Sequence, residues 1–355
     1  MNLHLSQERI WKIALSALAI LLLVLFPLIL EPFRLSFMGK YLAYALAAVS
    51  LNLIWGYTGI LSLGHGVFFA LGAYVMAYHL KLQGGELPDF MSWSGLKEIP
   101  WFIGPLKSPW VAYPLIVGLP SFFAFLIGWP TFKSGIKGVY FTILSQALAL
   151  ALSIFFIGQQ PFTGGTNGIT AFKGFFGVSI RNPGQILALY CVTVAVLMLV
   201  LWGLHVLLKT KTGKILVAVR DGENRLRFLG YNPVNFKLFV FTVSGGIAGL
   251  AGALFAPQVG IVSPSAMGIL PSVEMAIWVA VGGRGTLFGP VIGAVVVNEA
   301  KTFFSETFPE FWLYFLGALF IATVVFFPKG IVGMWNDWMA GRKEKAALKI
   351  EEVRP

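Results

Sequence analysis

Few side chains in this sequence could take part in chemistry, and the most unusual of them are polar groups inside long apolar runs. Gln146 carries both a carbonyl acceptor and an amide donor well within one run. Glu274 begins another, where a membrane-buried charge costs at least ~2.5 kcal/mol. Each allows two interpretations. Gln146 contacts a polar solute or forms a hydrogen bond between helices worth ~0.6 kcal/mol; Glu274 accepts N–H groups on a pathway or marks the outer end of its helix.

Two glycine-containing segments supply further candidate residues. Ser62 and His65 lie in the segment 56–66, which interrupts an apolar run. Unwound backbone of this kind is tolerated in a membrane protein where it lines a cavity, although both side chains could also cap helices. Thr166 and Asn167 lie in a Gly-Gly-Thr-Asn-Gly turn, where they contact a solute or simply form the turn.

Motifs for catalysis, metal binding or nucleotide binding are absent from the sequence. Gly213-Lys214 is followed by Ile215, so there is no G-x-x-x-x-G-K-[ST] loop to hold ATP phosphates. The sequence also lacks H-E-x-x-H, G-x-S-x-G and C-x-x-C, and its four histidines are widely separated. We therefore expect no enzyme activity, no metal site and no cofactor bound by this chain.

Composition places these residues in a bilayer. The chain has 355 residues, of which 57% are hydrophobic and 12% charged, and about 20 apolar residues suffice to cross the hydrocarbon core. The sequence predicts an all-α polytopic membrane protein with about ten transmembrane segments, some of them broken. These lie near 13–30, 40–57, 60–80, 111–130, 138–157, 186–208, 237–260, 269–283, 289–304 and 311–328.

The distribution of Lys and Arg predicts the orientation. Most of the 26 basic residues fall in segments on the same side as both termini, as the positive-inside rule requires of cytoplasmic segments. The net charge of +11 is then explained by membrane orientation. We expect no nucleic-acid partner. We expect one transmembrane domain over 1–335 and a basic cytoplasmic tail over 336–355. A re-entrant hairpin over 269–304 would preserve the same parity.

Glycine-rich breaks indicate internal symmetry. The segments 56–66 and 282–290 interrupt apolar runs in the two halves of the chain and suggest an inverted repeat. Glycines also recur four residues apart at Gly245 and Gly249 and at 285–293. This spacing suits close helix packing, either within the chain or against a second subunit.

The longest predicted cytoplasmic connection, about 209–237, contains amphipathic helical material that ends at Gly230 and Pro233. Its apolar face of Leu216, Val219, Leu226 and Leu229 suits docking to a partner protein. A basic anchor on anionic lipid would need only the cations.

Motifs along nearly the whole chain resemble one family of transporters. The connection reads A-V-R-D-x-E-x-x-x-x-x-L-G-Y-N-P and is followed by K-L-x-x-F-x-x-S-G-x-x-A-G-L-A-G-A-L. Four more motifs occur in the family's order: G-Y-T-G-I-L-S-L-G-H-G (56–66), G-V-Y-F-x-I-x-x-Q-A-L (138–148), F-T-G-G-T-N-G-I-T (162–170) and W-V-A-V-G-G-R-G-T-L-F-G-P (278–290). The chain resembles permease subunits of the branched-chain amino acid and urea ABC importer family.

The resemblance implies a multi-subunit importer in a bacterial cytoplasmic membrane. A homologous second permease subunit would complete a heterodimer, two ATP-binding cassette subunits would bind ATP-Mg and hydrolyse it, and an external solute-binding protein would deliver the solute. ATPase coupling would use the connection's Ala218, Arg220, Asp221, Glu223, Arg227 and Gly230. A self-sufficient secondary transporter or channel is the rival interpretation, and it would require an ion-coupling group deep in the membrane.

Within the family, the urea-type subunit is the closer resemblance. Gly66 after His65, Gln146, the Ser272-Val273-Glu274 sequence and two external stretches around 88–91 and 100–102 suggest it. Urea is neutral and needs hydrogen-bonding groups, whereas an amino acid would require a cation or a helix N-terminus for its carboxylate. Because no basic residue is evident deep within a span, we expect urea or a close amide analogue as substrate, with a branched-chain amino acid as the alternative.

Overall fold

The computed structural model describes residues 15–85, 87–172, 182–326 and 330–335. The predicted basic tail, the first residues of the first predicted run and the last two of the final run lie outside these ranges. Within them the chain is almost entirely helical, which confirms the predicted all-α membrane fold.

Helices occupy all ten predicted apolar runs, and an additional helix forms the predicted cytoplasmic connection. Short helical turns, such as Asp89–Trp93, lie in the connections. The only strands in the described ranges are β1 (Ile169–Thr170) and β2 (Ile261–Val262), which pair antiparallel. The longer helices are α1 (Leu15–Ile29), α2 (Pro32–Thr58), α3 (His65–Leu82), α4 (Pro109–Lys133), α5 (Val139–Gly158), α6 (Pro183–Lys209), α7 (Lys211–Phe228), α8 (Pro233–Val259), α9 (Ile269–Gly282), α10 (Gly289–Thr307) and α11 (Trp312–Phe326).

The helices in the predicted apolar runs differ in length. By length and composition, five helices of the described chain suit a membrane crossing, namely α2, α4, α5, α6 and α8. In contrast, α9 has 14 residues and reaches only about 21 Å, less than the ~30 Å hydrocarbon core. It follows an irregular segment, 260–268, so this part of the chain is a broken segment.

The centre of the molecule is an antiparallel pair of long helices. Both α2 and α8 have 27 residues and are mostly buried. Ser244 of α8 donates a hydrogen bond to the Ser50 carbonyl of α2, and Gln258 lies against Gly39. The residue numbers run in opposite senses along this contact, so the two helices point in opposite directions.

Each central helix begins one half of an inverted repeat. Both end at a glycine in the left-handed region, Gly59 with φ 76° and Gly260 with φ 79°, a conformation that glycine adopts without strain. An irregular segment then leads to a shorter helix, α3 or α9, which lies beside the long helix of the other half. The order α2, α3, α4 is thus repeated in the opposite direction by α8, α9, α10.

This arrangement changes the position of the second break. The segment equivalent to 59–64 is 260–268, and the predicted break at 282–290 is instead the tight turn of the hairpin formed by α9 and α10. Its glycines allow backbone contact, because a Cβ on Gly293 would lie 2.0 Å from the Trp278 carbonyl oxygen. The break at 282–290 was predicted from glycine content, which does not distinguish a turn from a broken span.

The two glycines four residues apart on α8, Gly245 and Gly249, pack against another helix of the same chain. Gly245 lies against Ala124 of α4, and Gly249 lies against Ile116 and Pro120 of the same helix. These glycines therefore serve contacts between α8 and α4, as the intrachain interpretation predicts.

Candidate functional site

The first break is buried at the centre of the molecule, and its histidine is held by two serines. His65, the first residue of α3, is fully buried, with Nε2 at 2.9 Å from Ser50 Oγ and 3.3 Å from Ser244 Oγ. Both serine hydroxyls donate to backbone carbonyls, of Ala47 and Ser50 respectively. Since each hydroxyl has one proton, Nε2 must donate to Ser50, and Nδ1 is then a buried acceptor without a partner in the described chain.

Hydroxyl groups from other helices fix the backbone around His65. Thr142 of α5 donates to the Leu61 carbonyl at 2.9 Å, and Ser145 accepts from the Leu63 amide at 3.1 Å. Ser272 of α9 accepts from the Gly66 amide at 3.0 Å. The predicted residue Ser62 lies among these contacts, buried but without a hydrogen bond of its own side chain to the described residues.

Helix α5 holds both breaks on one face and presents Gln146 beside that face. Its buried residues recur every fourth position, at Phe141, Ser145, Ala149 and Ser153, and Ser153 donates to Pro264 of the second break at 3.1 Å. Sequence reasoning missed these serines, although their four-residue spacing is visible. Gln146 is half-buried, and no hydrogen bond joins it to the described residues, so the predicted bond between helices does not form there.

Glu274 is neutralised by a lysine. Its carboxylate is 9% exposed and lies 2.7 Å from Lys301 Nζ of α10. Lys40 of α2 lies near enough to be repelled by Lys301 and attracted by Glu274. Both lysines were expected in external segments, yet Lys40 is about 12 Å along α2 from Pro32 at 1.5 Å per residue. Lys40 and Lys301 therefore lie within α2 and α10 and not in the connections between helices.

Thr166 and Asn167 lie far from this group in sequence and are exposed on a short 3₁₀ turn, Gly165–Asn167. The turn precedes β1, and Lys81 at the end of α3 donates to the Thr170 carbonyl at 3.4 Å. The structure thus places the turn at the end of α3, away from His65 at the start of the same helix.

The other end of the molecule joins the end of α2 to the hairpin turn of α9 and α10. Asn52 donates to the Thr286 carbonyl at 2.8 Å and accepts from the Gly285 amide at 2.9 Å. Gly56 allows this approach, because a Cβ there would lie 2.7 Å from the Gly285 nitrogen. Arg284 Cζ lies 5.4 Å from the ring centroid of Trp55, which adds a cation–π contact.

Helix α7 contacts the same place through Arg220. Its guanidinium donates to the Gly56 carbonyl at 2.8 Å and forms an ion pair with the neighbouring Asp221. That hydrogen bond holds the pKa of the Asp221 carboxyl below its ordinary value. Gly222 follows with a non-helical backbone (φ −173°, ψ 69°), so α7 is kinked next to the arginine.

Glu223 fixes the second half of α7 to its surroundings. It pairs with Lys237 of α8 at 2.7 Å, with Lys137 between α4 and α5 at 3.0 Å, and with Arg227 at 3.0 Å. Burial raises the pKa of Glu223, but the hydrogen bonds from Lys237, Lys137 and Arg227 outweigh burial and lower it to about 2. The carboxylate is therefore ionised at every physiological pH.

The rest of α7 divides into a packed face and an exposed end. Of the predicted apolar face, Leu216, Val219 and Leu226 are buried within the chain itself, so the expectation that these three side chains dock a partner protein was wrong. Leu229, predicted on that face, is 74% exposed. It precedes Gly230, whose φ of 82° reverses the chain after the helix.

Acidic, histidine and cysteine side chains do not cluster into a group that suits a metal ion in the part of the chain described. The arrangement has instead the features of a transport protein: central breaks, and a kinked helix that contacts the ends of membrane helices. Residues 33–324 match the family described as branched-chain amino acid transport system, permease component. The chain belongs to this family. It is a multi-pass membrane permease, and its homologues are transport subunits rather than enzymes.

Relatives match over most of their length. The chain is 27% identical to the high-affinity branched-chain amino acid transport system permease protein LivM of Salmonella typhimurium, over 82% of this chain and 68% of the relative. It is 26% identical to LivM of Escherichia coli, over 98% and 80%, and 22% identical to BraD of Pseudomonas aeruginosa, over 82% and 91%. No solved structure matches the chain. The expected urea specificity receives no support from these relatives, which favour the amino acid alternative.

Proposed function

We propose that this chain is one permease subunit of an ATP-driven importer that carries a branched-chain amino acid across the bacterial cytoplasmic membrane. A second, homologous permease subunit completes the pathway. Two partner ATPase subunits bind ATP-Mg, and an external binding protein delivers the solute. The observation that carries the proposal is the family match over 33–324, together with relatives named as branched-chain amino acid permeases.

The same relatives and the sequence support the proposed partner subunits. Both LivM and LivH permeases are similar to this chain, as expected if two related subunits form one pathway. The sequence has no phosphate-binding loop, so hydrolysis belongs to another chain. The exposed Phe228 and Leu229, 91% and 74% accessible, offer an apolar contact at the end of α7 for such a partner.

The contacts of Arg220 suggest how the two activities are coupled. Movement of α7 by an ATPase would act on the Gly56 carbonyl, and Asn52 would carry the displacement to the hairpin of α9 and α10. The kink at Gly222 lets the first half of α7 move while Glu223 holds the second half. In this mechanism Arg220 is a positioning residue and touches no substrate.

Charge no longer favours urea over an amino acid. Urea was favoured because a carboxylate would need a cation within the membrane helices and none was evident. Lys40 and Lys301 are such cations, close to the buried Glu274. The charge argument against an amino acid is therefore removed, and Gln146 remains a candidate for hydrogen bonding on the pathway.

Uptake of labelled solutes tests the proposal. The complex can be purified by an affinity tag on this chain and reconstituted into vesicles. These vesicles should accumulate leucine only when ATP and the external binding protein are supplied. Uptake of urea without leucine would overturn the substrate, whereas leucine uptake by this chain alone, driven by an ion gradient, would favour a secondary transporter. Co-purification of an ATPase checks the subunit composition.

A further inference from the structure

A polar cavity of about 260 Å³ lies between α2 and α10. Almost every side chain around it is polar, although both helices belong to the membrane domain. Its size suits a small solute rather than a segment of protein. The cavity is lined by Lys40, Tyr41, Tyr44, Asn298, Lys301, Thr302, Ser305 and Glu306.

The two lysines at the cavity differ in their ion pairs. Lys301 is paired with the buried Glu274 at 2.7 Å, whereas Lys40 has no carboxylate within ion-pair distance in the described part of the chain. Lys40 is attracted by Glu274 without pairing with it, and its Nζ lies 5.9 Å from the Phe37 centroid and 5.8 Å from that of Tyr44. Lys301 repels it at the same time.

A cation without an ion pair inside a membrane helix is costly and usually marks a functional site. The cost falls when an anion enters and accepts charge-assisted hydrogen bonds. Hydroxyl groups lie beside the lysines, since Tyr41 and Thr302 form a hydrogen bond across the two helices. Glu306 stands on the same cavity wall and offers a partner for an ammonium group.

We propose that this cavity binds the carboxylate of a small aliphatic amino acid at Lys40, with the solute's ammonium directed towards Glu306. The site rests on the proposed function, because it assigns a place on this chain to that substrate. It is not formed by the breaks around His65 or by Gln146. A carboxylate is the group that distinguishes such a solute from urea and from its own amide.

Transport kinetics of the intact complex test the site. Lys40→Met should raise the KM for leucine about 10- to 100-fold, the range expected for one charge-assisted hydrogen bond, with little change in assembled complex. Lys40→Arg should restore most of the affinity. Lys97→Met is the matched control, because Lys97 is exposed in the α3–α4 connection. An unchanged KM in Lys40→Met would overturn the site and leave the proposed function standing.

Chemical labelling separates the site from the proposed function. Leucine and isovalerate should protect Lys40 from acylation by an amine-reactive ester, measured by mass spectrometry, whereas leucinamide should not. Protection by isovalerate without any leucine transport would support the carboxylate site and reject the proposed substrate. Absence of protection would reject the site.

A lipid headgroup could supply the same anionic chemistry. The complex should therefore be labelled in nanodiscs of phosphatidylcholine alone and with added phosphatidylglycerol. Protection by leucine in both supports a solute site. Protection that appears with phosphatidylglycerol and without leucine would overturn the solute proposal in favour of a lipid site.

Discussion

Arg220 connects parts of the chain that are 164 residues apart in sequence. One nitrogen of its guanidinium donates to the Gly56 carbonyl. Two others donate to the Asp221 carboxylate. The planar group can hold both contacts at once, which a lysine ammonium does less well. The contact therefore depends on guanidinium geometry as well as on charge.

We expect Arg220→Ala to lower substrate-stimulated ATP hydrolysis at least about tenfold, because a charge-assisted hydrogen bond is worth roughly 1.5–3 kcal/mol. Arg220→Lys should fall between this variant and the wild type. Stimulated hydrolysis by the purified complex is the measurement, and Arg34→Ala, an exposed arginine at the opposite end of α2, is the control. Full stimulation in Arg220→Ala, with normal assembly, would show that α7 acts without this contact.

Glu223 leads to a prediction about acid stability. Its folded pKa of about 2 lies below the ordinary value of 4.5, so ionised Glu223 stabilises the fold fully above about pH 4.5 and progressively less towards pH 2. Glu223→Gln leaves the buried Lys237 without its carboxylate and should cost about 3 kcal/mol near pH 7. As the pH falls below 4.5, the thermal unfolding temperature of the variant should decrease less steeply than that of the wild type. Parallel acid profiles of the two proteins would contradict this role.

Residue types were easier to predict than residue partners. His65 was singled out because it lies in a glycine-rich break, but Ser244 is 179 residues away from it and gives no local signal. Asn52 was missed for the same reason, since its partners are on a distant turn. Glu274 was recognised as unusual, whereas Lys301 was assigned to the outside because the apolar run ends near it while the helix continues to Thr307.

Glycines at which two helices touch are the helix positions that tolerate substitution least. At Gly252 of α8, a Cβ would lie 1.8 Å from the Phe69 carbonyl oxygen and 3.0 Å from the Ala73 nitrogen of α3. Backbone atoms cannot move aside as a flexible side chain can. Gly203 of α6, by comparison, has nothing within 4 Å of the same position.

Gly252→Ala should therefore destabilise the protein by about 3 kcal/mol through overpacking. Gly203→Ala should be neutral or slightly stabilising, because alanine favours helix by up to about 1 kcal/mol. The thermal unfolding temperatures of the two purified variants provide the comparison. Equal stability of both variants would mean that α3 and α8 are less closely packed than described.

Helix positions followed from hydropathy, but the shapes of the breaks did not. Every predicted apolar run contains a helix, because the bilayer requires backbone groups to be satisfied within the segment. The interruption predicted at 282–290 is present between α9 and α10, but the segment that corresponds to the first break is 260–268, which has the weaker glycine signal. The kink of α7 at Gly222 was also absent from the prediction, because its amphipathic pattern continues across the glycine.

The repeated units α2–α4 and α8–α10 run in opposite directions. Their helix directions determine which connections lie on the same side of the membrane. Helix α2 ends beside α7, where Arg220 contacts Gly56. Helix α3 runs away from that end, and its Lys81 reaches Thr170 beside the 165–167 turn. The connection after α3 and this turn therefore lie on one side, and α7 lies on the other. The excess of Lys and Arg around α7 predicts that its side is the cytoplasmic one.

Cysteine labelling in intact cells tests this orientation. In a Cys191→Ala background, Lys97→Cys and Thr166→Cys should both react with a membrane-impermeant maleimide, because α4 and α5 cross the membrane between them and return the chain to the same side. Arg225→Cys on α7 should react only after permeabilisation. All three positions are exposed in the structure, so failure to react reports sidedness rather than burial. Reaction of residues 97 and 166 from different sides would mean that the number of crossings between them is wrong. Reaction of residues 97 and 225 from the same side would mean that the orientation of α7 is wrong.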